Sequence, residues 1–273
     1  MAVLRYANHI PADLNSALKM IWPNPFRQAW TLLRRRRAAR RIGVPLTRTR
    51  DWKLPAQLRV RGAMAPILAP DEPGTALAFL DILIDDCYGL RGLRRRVERI
   101  VDIGAHAGFF SLHAKMLFPS ATVHAYEPNP ALAPYLSQQA KTGGFQWFGE
   151  AVAETSGGMN LTVDSDSVQS RAMPLADRNV CPTDQAVPCV AFATALERIG
   201  GKIDFLKMDC EGGEWSIFRD ARSFQAVRGL GMEYHLFDGH TLAELTDTVR
   251  AMGFTIHFMH ADGPQYGRLW AGR

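Results

Sequence analysis

From Arg99 to its end the chain alternates short apolar runs with stretches of helical period, and this restricts the fold more than any other feature. Strands separated by helices cannot pair as simple hairpins. Each must return through a crossover, which predicts an α/β fold with a mostly parallel sheet covered by helices on both faces. The pattern places strands at 99–103, 122–126, 147–152, 159–163, 187–190, 203–208 and 231–236. Helices are expected at 109–117, from Pro130 onward, at 194–199 and at 242–252. Segments 254–259 and 266–270 read as a closing antiparallel pair. Residues 164–186 carry Asp, Ser, Pro and Gln without a period and read as a long, functional loop.

Ahead of this region the chain is built differently. Residues 1–50 read as helical, with Leu14, Leu18 and Ile21 and then Trp30 and Leu33 in register, and with Pro23 and Pro25 dividing two helices. Residues 58–66 read as a strand or hairpin. A turn follows at 71–74, and Thr75 is expected to cap a helix running to Cys87. The organisation predicted is a helical extension, 1–57, joined to an α/β domain, 58–273. The extension has three candidate roles: a lid, a homodimer interface or a set of substrate contacts.

A chain of 273 residues with 47% hydrophobic and 22% charged side chains can bury an ordinary core, which excludes general disorder. Its net charge of +5 is clustered, in Arg34 to Arg37, Arg40 and Arg41, and in Arg91, Arg94, Arg95, Arg96 and Arg99. Such runs attract phosphates, nucleic acid or an anionic membrane surface, although a solvated helix face is the simpler reading. Cys87, Cys181, Cys189 and Cys210 form no C-x-x-C pair. Reduced thiols and a cytoplasmic location are therefore expected. No signal-peptide pattern or membrane-spanning apolar stretch is read in the chain.

The segment Val101-Asp102-Ile103-Gly104-Ala105-His106-Ala107-Gly108-Phe109-Phe110 closes a strand and opens a helix. Gly104 and Gly108 allow a tight turn and a close approach to a ligand. The spacing is D-x-G-x-x-x-G, not the G-x-G-x-x-G that accommodates a pyrophosphate. One strand later Glu127 ends His124-Ala125-Tyr126-Glu127-Pro128-Asn129, where a carboxylate can accept from both ribose hydroxyls. Glu150 and Ala151 fall where an adenine edge would lie. A nucleoside-containing ligand follows, and Asp102 at the strand end suits a zwitterionic methionine moiety carrying a sulfonium. The residues expected at this ligand are thus Asp102, Gly104, Ala105, His106, Gly108, Phe109, Glu127, Pro128, Glu150, Ala151 and Asp209.

The glycine segment, Tyr126-Glu127-Pro128-Asn129-Pro130 and Lys207-Met208-Asp209-Cys210-Glu211-Gly212-Gly213-Glu214 together resemble the FkbM-type S-adenosylmethionine-dependent methyltransferases. The last segment resembles the family's K-I-D-x-E-G-x-E signature. The resemblance spans about residues 75–273, with His106 standing where the family typically has asparagine. It implies the class I methyltransferase, Rossmann-like fold with a seven-stranded sheet. S-adenosylmethionine is then the cofactor, and the activity implied is methylation, usually of a hydroxyl on a sugar or natural product.

The chemical site is expected where the strands end. Lys207 and Asp209 are two residues apart, as are Glu233 and His235 on the next strand, so all four are predicted to converge. Asp209 is read as orienting the acceptor or cofactor, with His235 or Asp209 taking the proton. Glu211 would support either role or cap the following helix, and Lys207 would balance the carboxylates. Asp209, Glu211 and Glu233 are also a candidate divalent-cation set, though no metal is predicted. Glu214 is expected at the surface, and Trp215, Phe218 and Phe224 in the core. A nicotinamide oxidoreductase, an RNA methyltransferase using the Arg34–Arg41 run and a non-enzymatic protein-binding module are the competing classes. The absent G-x-G-x-x-G argues against the first, and a small-molecule or carbohydrate acceptor is favoured over nucleic acid.

Overall fold

The computed structural model describes residues 24–45, 53–93, 96–162, 171–174 and 185–273. Helix α1 (Asn24–Arg41) takes Pro25 into its first turn, where no amide donor is needed. The first of the two predicted amino-terminal helices lies outside the described residues. Strands β1 (Gln57–Val60) and β2 (Ala63–Pro66) form the expected hairpin. Helix α2 (Pro73–Phe79) begins at Pro73, so Thr75 is not its cap but a buried interior residue. It widens into a π-helical turn at Leu80–Asp85, which stops at Asp86 in a left-handed conformation.

The sheet is built from β3 (Arg99–Ile103), β4 (Thr122–Tyr126) and β5 (Gln146–Phe148), with helices α3 (Phe109–Leu117) and α4 (Ala133–Gly143) between them. Expected strand 147–152 is in fact broken. Gly149 and Glu150 carry the chain out of the main sheet into β6 (Ala151–Ala153). Strands β7 (Gly157–Thr162), β8 (Arg171–Pro174) and β9 (Gln185–Ala191) join β6 in a second sheet of order β6-β9-β7-β8. Part of the expected loop is therefore strand, and 163–170 and 175–184 lie outside the described residues. The chain returns through α5 (Phe192–Arg198) to β10 (Phe205–Met208), α6 (Glu214–Phe218), β11 (Gly229–His235), α7 (Leu242–Ala251), β12 (Thr255–Ala261) and β13 (Tyr266–Gly272).

The seven-stranded order is β12-β13-β11-β10-β3-β4-β5, and within it β13 alone runs against the rest. Alternation along the strands feeds a core on each face. Ile100, Val123, Ala125 and Phe205 pack with Ala39, Ile42, Leu83, Phe110 and Leu136 from α1 and the turn after it, the π-turn, α3 and α4. Val101, Ile103, Leu206 and Met208 pack with Phe192, Ile217, Phe218, Phe224, Leu245 and Val249 on the other side.

Candidate active site

Strands β3 and β10 are neighbours, and between them the chain reverses its progress across the sheet, which opens a crevice beyond their carboxyl ends. In the loop after β3, Gly104 (φ +73°), His106 (φ +48°) and Gly108 (φ +82°) are all left-handed. A Cβ on Gly104 would sit 1.6 Å from the Asp209 carbonyl oxygen, so glycine is what lets the loop after β10 pass. At His106, asparagine and histidine are better tolerated than β-branched residues. His106→Val should therefore lower stability by about 1–2 kcal/mol, read as a urea midpoint; an unchanged midpoint would refute the strain.

Glu127 is buried where β4 ends. It accepts the His106 amide at 2.8 Å on one oxygen and the Asn129 amide at 2.9 Å on the other. Burial pushes its carboxyl up to about 7, although both amides favour the anion. Beside it opens a cleft lined by Gly104, His106, Glu127, Pro128, Glu150, Ala151, Asp209 and Glu211 among the expected residues. Val152 and Met159 add apolar walls that the sequence did not reveal. Glu150 is also held by the Arg198 guanidinium.

Four expected ligand residues lie behind this surface. Asp102 is fully buried, accepts the Ser111 hydroxyl at 2.8 Å and pairs with Lys207 at 3.2 Å. Ala105 donates its amide to Tyr126 O at 3.0 Å. Gly108 caps α3, and Phe109 packs edge-on against Phe79. Their work is to shape the loop.

The two-apart spacing does bring the ionisable groups together. Lys207 is buried, donates to the Gly104 and Ile103 carbonyls, and lies 3.6 Å from Asp209 Oδ2. Burial opposes its charge, but Asp102 and Asp209 outweigh this and hold its pKa above the ordinary lysine value. His235 Nδ1 faces Glu214 Oε1 at 3.2 Å, and Nε2 faces Glu211 at 3.3 Å and Glu233 at 4.0 Å. Burial again opposes the charge, yet the Glu214 hydrogen bond, Glu211 and Asp209 raise the imidazole to about 9. Burial and the Asp209 charge push Glu233 up to about 8. The acidic groups are thus gathered around an imidazolium. Atoms of Asp209, Glu233 and His235 lie within 4.8 Å of one another, with Glu211 on the imidazole's Nε2 side.

Glu214 is not at the surface as expected. It is buried, accepts the Cys210 amide at 3.1 Å and fixes His235. The N-cap of α6 is Gly213, and Glu211 adopts φ +52° in the bend before it. Phe218 and Phe224 are core residues as expected, while half-buried Trp215 packs against that core, donates to His235 O at 2.8 Å and stacks on His240.

Sequence reasoning missed Tyr88. Asp86, ending the π-turn, accepts the Leu90 and Arg91 amides at 3.0 and 2.9 Å, while Trp270 Nε1 donates to Cys87 O at 2.8 Å. These anchors set Tyr88 so that its hydroxyl donates to Asp209 Oδ2 at 2.8 Å. No periodic signal marks it; the one clue is a polar-tipped aromatic beside Asp85-Asp86.

A ligand fit follows from these contacts. Gly104 keeps the floor open, buried Glu127 faces the cleft with lone pairs to spare, and Ala151, Val152 and Met159 offer apolar walls for a base. A carboxylate after the second parallel strand, a D-x-G-x-x-x-G turn and a reversed last strand define an S-adenosylmethionine-dependent methyltransferase of the class I fold. The chain belongs to the Methyltransferase FkbM domain family, whose model matches residues 102–256. It is similar to "31-O-demethyl-FK506 methyltransferase FkbM" of Streptomyces tacrolimicus, at 32% identity over 65% of this chain and 81% of that one. "Methyltransferase sdnD" of Sordaria araneosa is 25% identical over 57% of this chain and 73% of its own. The solved "Putative methyltransferase yhhF from Escherichia coli" is a loose likeness, with TM-score 0.44 and 13% identity, covering 80% of this chain and 98% of that one.

Proposed function

We propose that the chain methylates a hydroxyl group on a sugar or natural-product acceptor. The observation that carries this is the setting of Asp209, whose Oδ2 is held by Tyr88 at 2.8 Å and faced by Lys207 at 3.6 Å. Its other oxygen has no partner among the described residues, which leaves it to orient an acceptor hydroxyl and take its proton. His235, already charged at neutral pH, steadies Glu211 and Glu214. Bound S-adenosylmethionine supplies an electrophilic methyl group on its sulfonium. Lys207, Asp102 and Ser111 fix the glycine loop on which its methionine end would rest, and Glu127 would accept from the ribose hydroxyls. The relative named for 31-O-demethyl-FK506 supports oxygen as the acceptor atom.

The test is to incubate the protein with S-adenosylmethionine carrying a ¹³C-methyl label and a panel of hydroxylated acceptors. A product methyl carbon in the O–CH₃ range of the NMR spectrum is expected. Label on nitrogen, sulfur or carbon would sink the reading.

Glu127 gives a separate check. Its pKa of about 7 means that burial favours the proton, whereas ribose hydroxyls favour the anion. S-adenosylhomocysteine should therefore bind more weakly as pH falls from about 8 to about 6, by up to roughly tenfold. Glu127→Gln should bind weakly with little pH dependence. Calorimetric titrations that are flat for the parent protein would remove Glu127 from the ribose.

A further inference from the structure

We propose that the outward face of α1 docks on an anionic lipid bilayer. Helix α1, Asn24–Arg41, contains no acidic residue. Its inward side is fixed to the domain: Ala39 is fully buried, and Arg35 pairs with Asp85 of the π-turn. Positions 30, 33, 34, 37 and 41 recur at three- and four-residue intervals on the opposite side. Trp30 is 46% exposed and Leu33 48% exposed, although both are large apolar side chains.

Around and beyond them, Arg36, Arg37, Arg40 and Arg41 are exposed, and none pairs with a carboxylate among the described residues. Arg34 shares Asp85 with Arg35. Further exposed groups lie past the helix end. A Cβ on Gly43 would come within 2.8 Å of Met64 Sδ, so Met64, itself 46% exposed, lies against the end of α1. Exposed Arg59 is the other neighbour of Gly43.

The outward face therefore carries apolar Trp30 and Leu33 at its start and arginines from there to Arg41, about 16 Å of helix in all, and exposed Met64 lies beside the helix end. Arginines alone would suit any polyanion. Leu33 and Met64 offer nothing to a phosphodiester backbone, whereas tryptophan, leucine and methionine all enter the headgroup–acyl boundary while arginines contact lipid phosphates. No helix among the described residues is long and apolar enough to cross a membrane. Each arginine held near an anionic surface favours binding by roughly fivefold, and salt screens the effect.

The test is co-sedimentation of the full chain with phosphatidylcholine vesicles, with and without phosphatidylglycerol, at low and high salt. Binding is expected only to the anionic vesicles, and high salt should release it. Replacing Arg36, Arg37, Arg40 and Arg41 with glutamine should weaken binding on the order of a hundredfold or more. Trp30→Ala with Leu33→Ala should weaken it on the order of tenfold. S-adenosylhomocysteine affinity, measured on every variant, shows that the domain remains folded. Absence of binding to anionic vesicles overturns the proposal, as does binding that survives the arginine replacements. Tighter, salt-sensitive binding of single-stranded RNA to the same face would assign it to nucleic acid and overturn the proposal too.

Discussion

Lys207→Met should cost the folded protein about 3–5 kcal/mol. Lys207 is 3% exposed at its side chain and sits between two carboxylates, Asp102 at 3.2 Å and Asp209 at 3.6 Å. Methionine fills nearly the same space, so the loss is electrostatic and polar rather than steric. Asp102, with no exposed side-chain surface, would be left as a buried carboxylate whose remaining described partner is the Ser111 hydroxyl. The Gly104 and Ile103 carbonyls would lose a donor in the same change, loosening the turn after β3. Urea unfolding at neutral pH measures the effect. Adding Asp102→Asn removes the stranded charge and should recover much of the loss. A midpoint close to that of the parent protein would show that Asp102 and Lys207 are not an essential pair.

That pair was half legible in the sequence. The two-residue interval aims both members of a pair the same way wherever a strand persists; it persists through Glu233 and His235 in β11, while Asp209, one residue past the end of β10, still lies 3.6 Å from Lys207. Strands 99–103 and 122–126 and helix 109–117 were readable to the residue because apolar periodicity and tertiary burial agree there. Elsewhere local pattern and tertiary structure diverge. Gly149 and Glu150 look like the middle of one strand, but the chain changes sheets at them. Glu214 has the sequence position of a first-turn surface acid, yet the bend at Glu211 and Gly212 turns it inward onto His235. Trp30 and Leu33 have helical spacing, and spacing identifies a shared face without telling which way that face points. Tyr88 was invisible because a π-turn and a left-handed Asp86 abolish the period of 3.6 just before it.

Asp209→Asn should reduce methyl transfer by about a thousandfold while leaving S-adenosylhomocysteine affinity within a few-fold. Asparagine keeps the shape of the side chain and still accepts the Tyr88 hydroxyl, so the loop after β10 should hold. Lys207 retains Asp102 as its counter-charge. What disappears is the carboxylate oxygen able to receive a proton. Tyr88→Phe separates positioning from proton transfer. It removes the 2.8 Å hydrogen bond that orients Asp209 but leaves the carboxylate in place. A fall in kcat of about tenfold, with cofactor affinity unchanged, is expected. Single-turnover assays with the acceptor found by ¹³C labelling distinguish the two changes. If Asp209→Asn transfers methyl within about threefold of the parent rate, Asp209 is not the base. The proton must then go to His235, which would first have to lose its own against the pull of Glu211 and Glu214. That route predicts a rate rising with pH up to about 9, and a rate without that rise would exclude His235 as well.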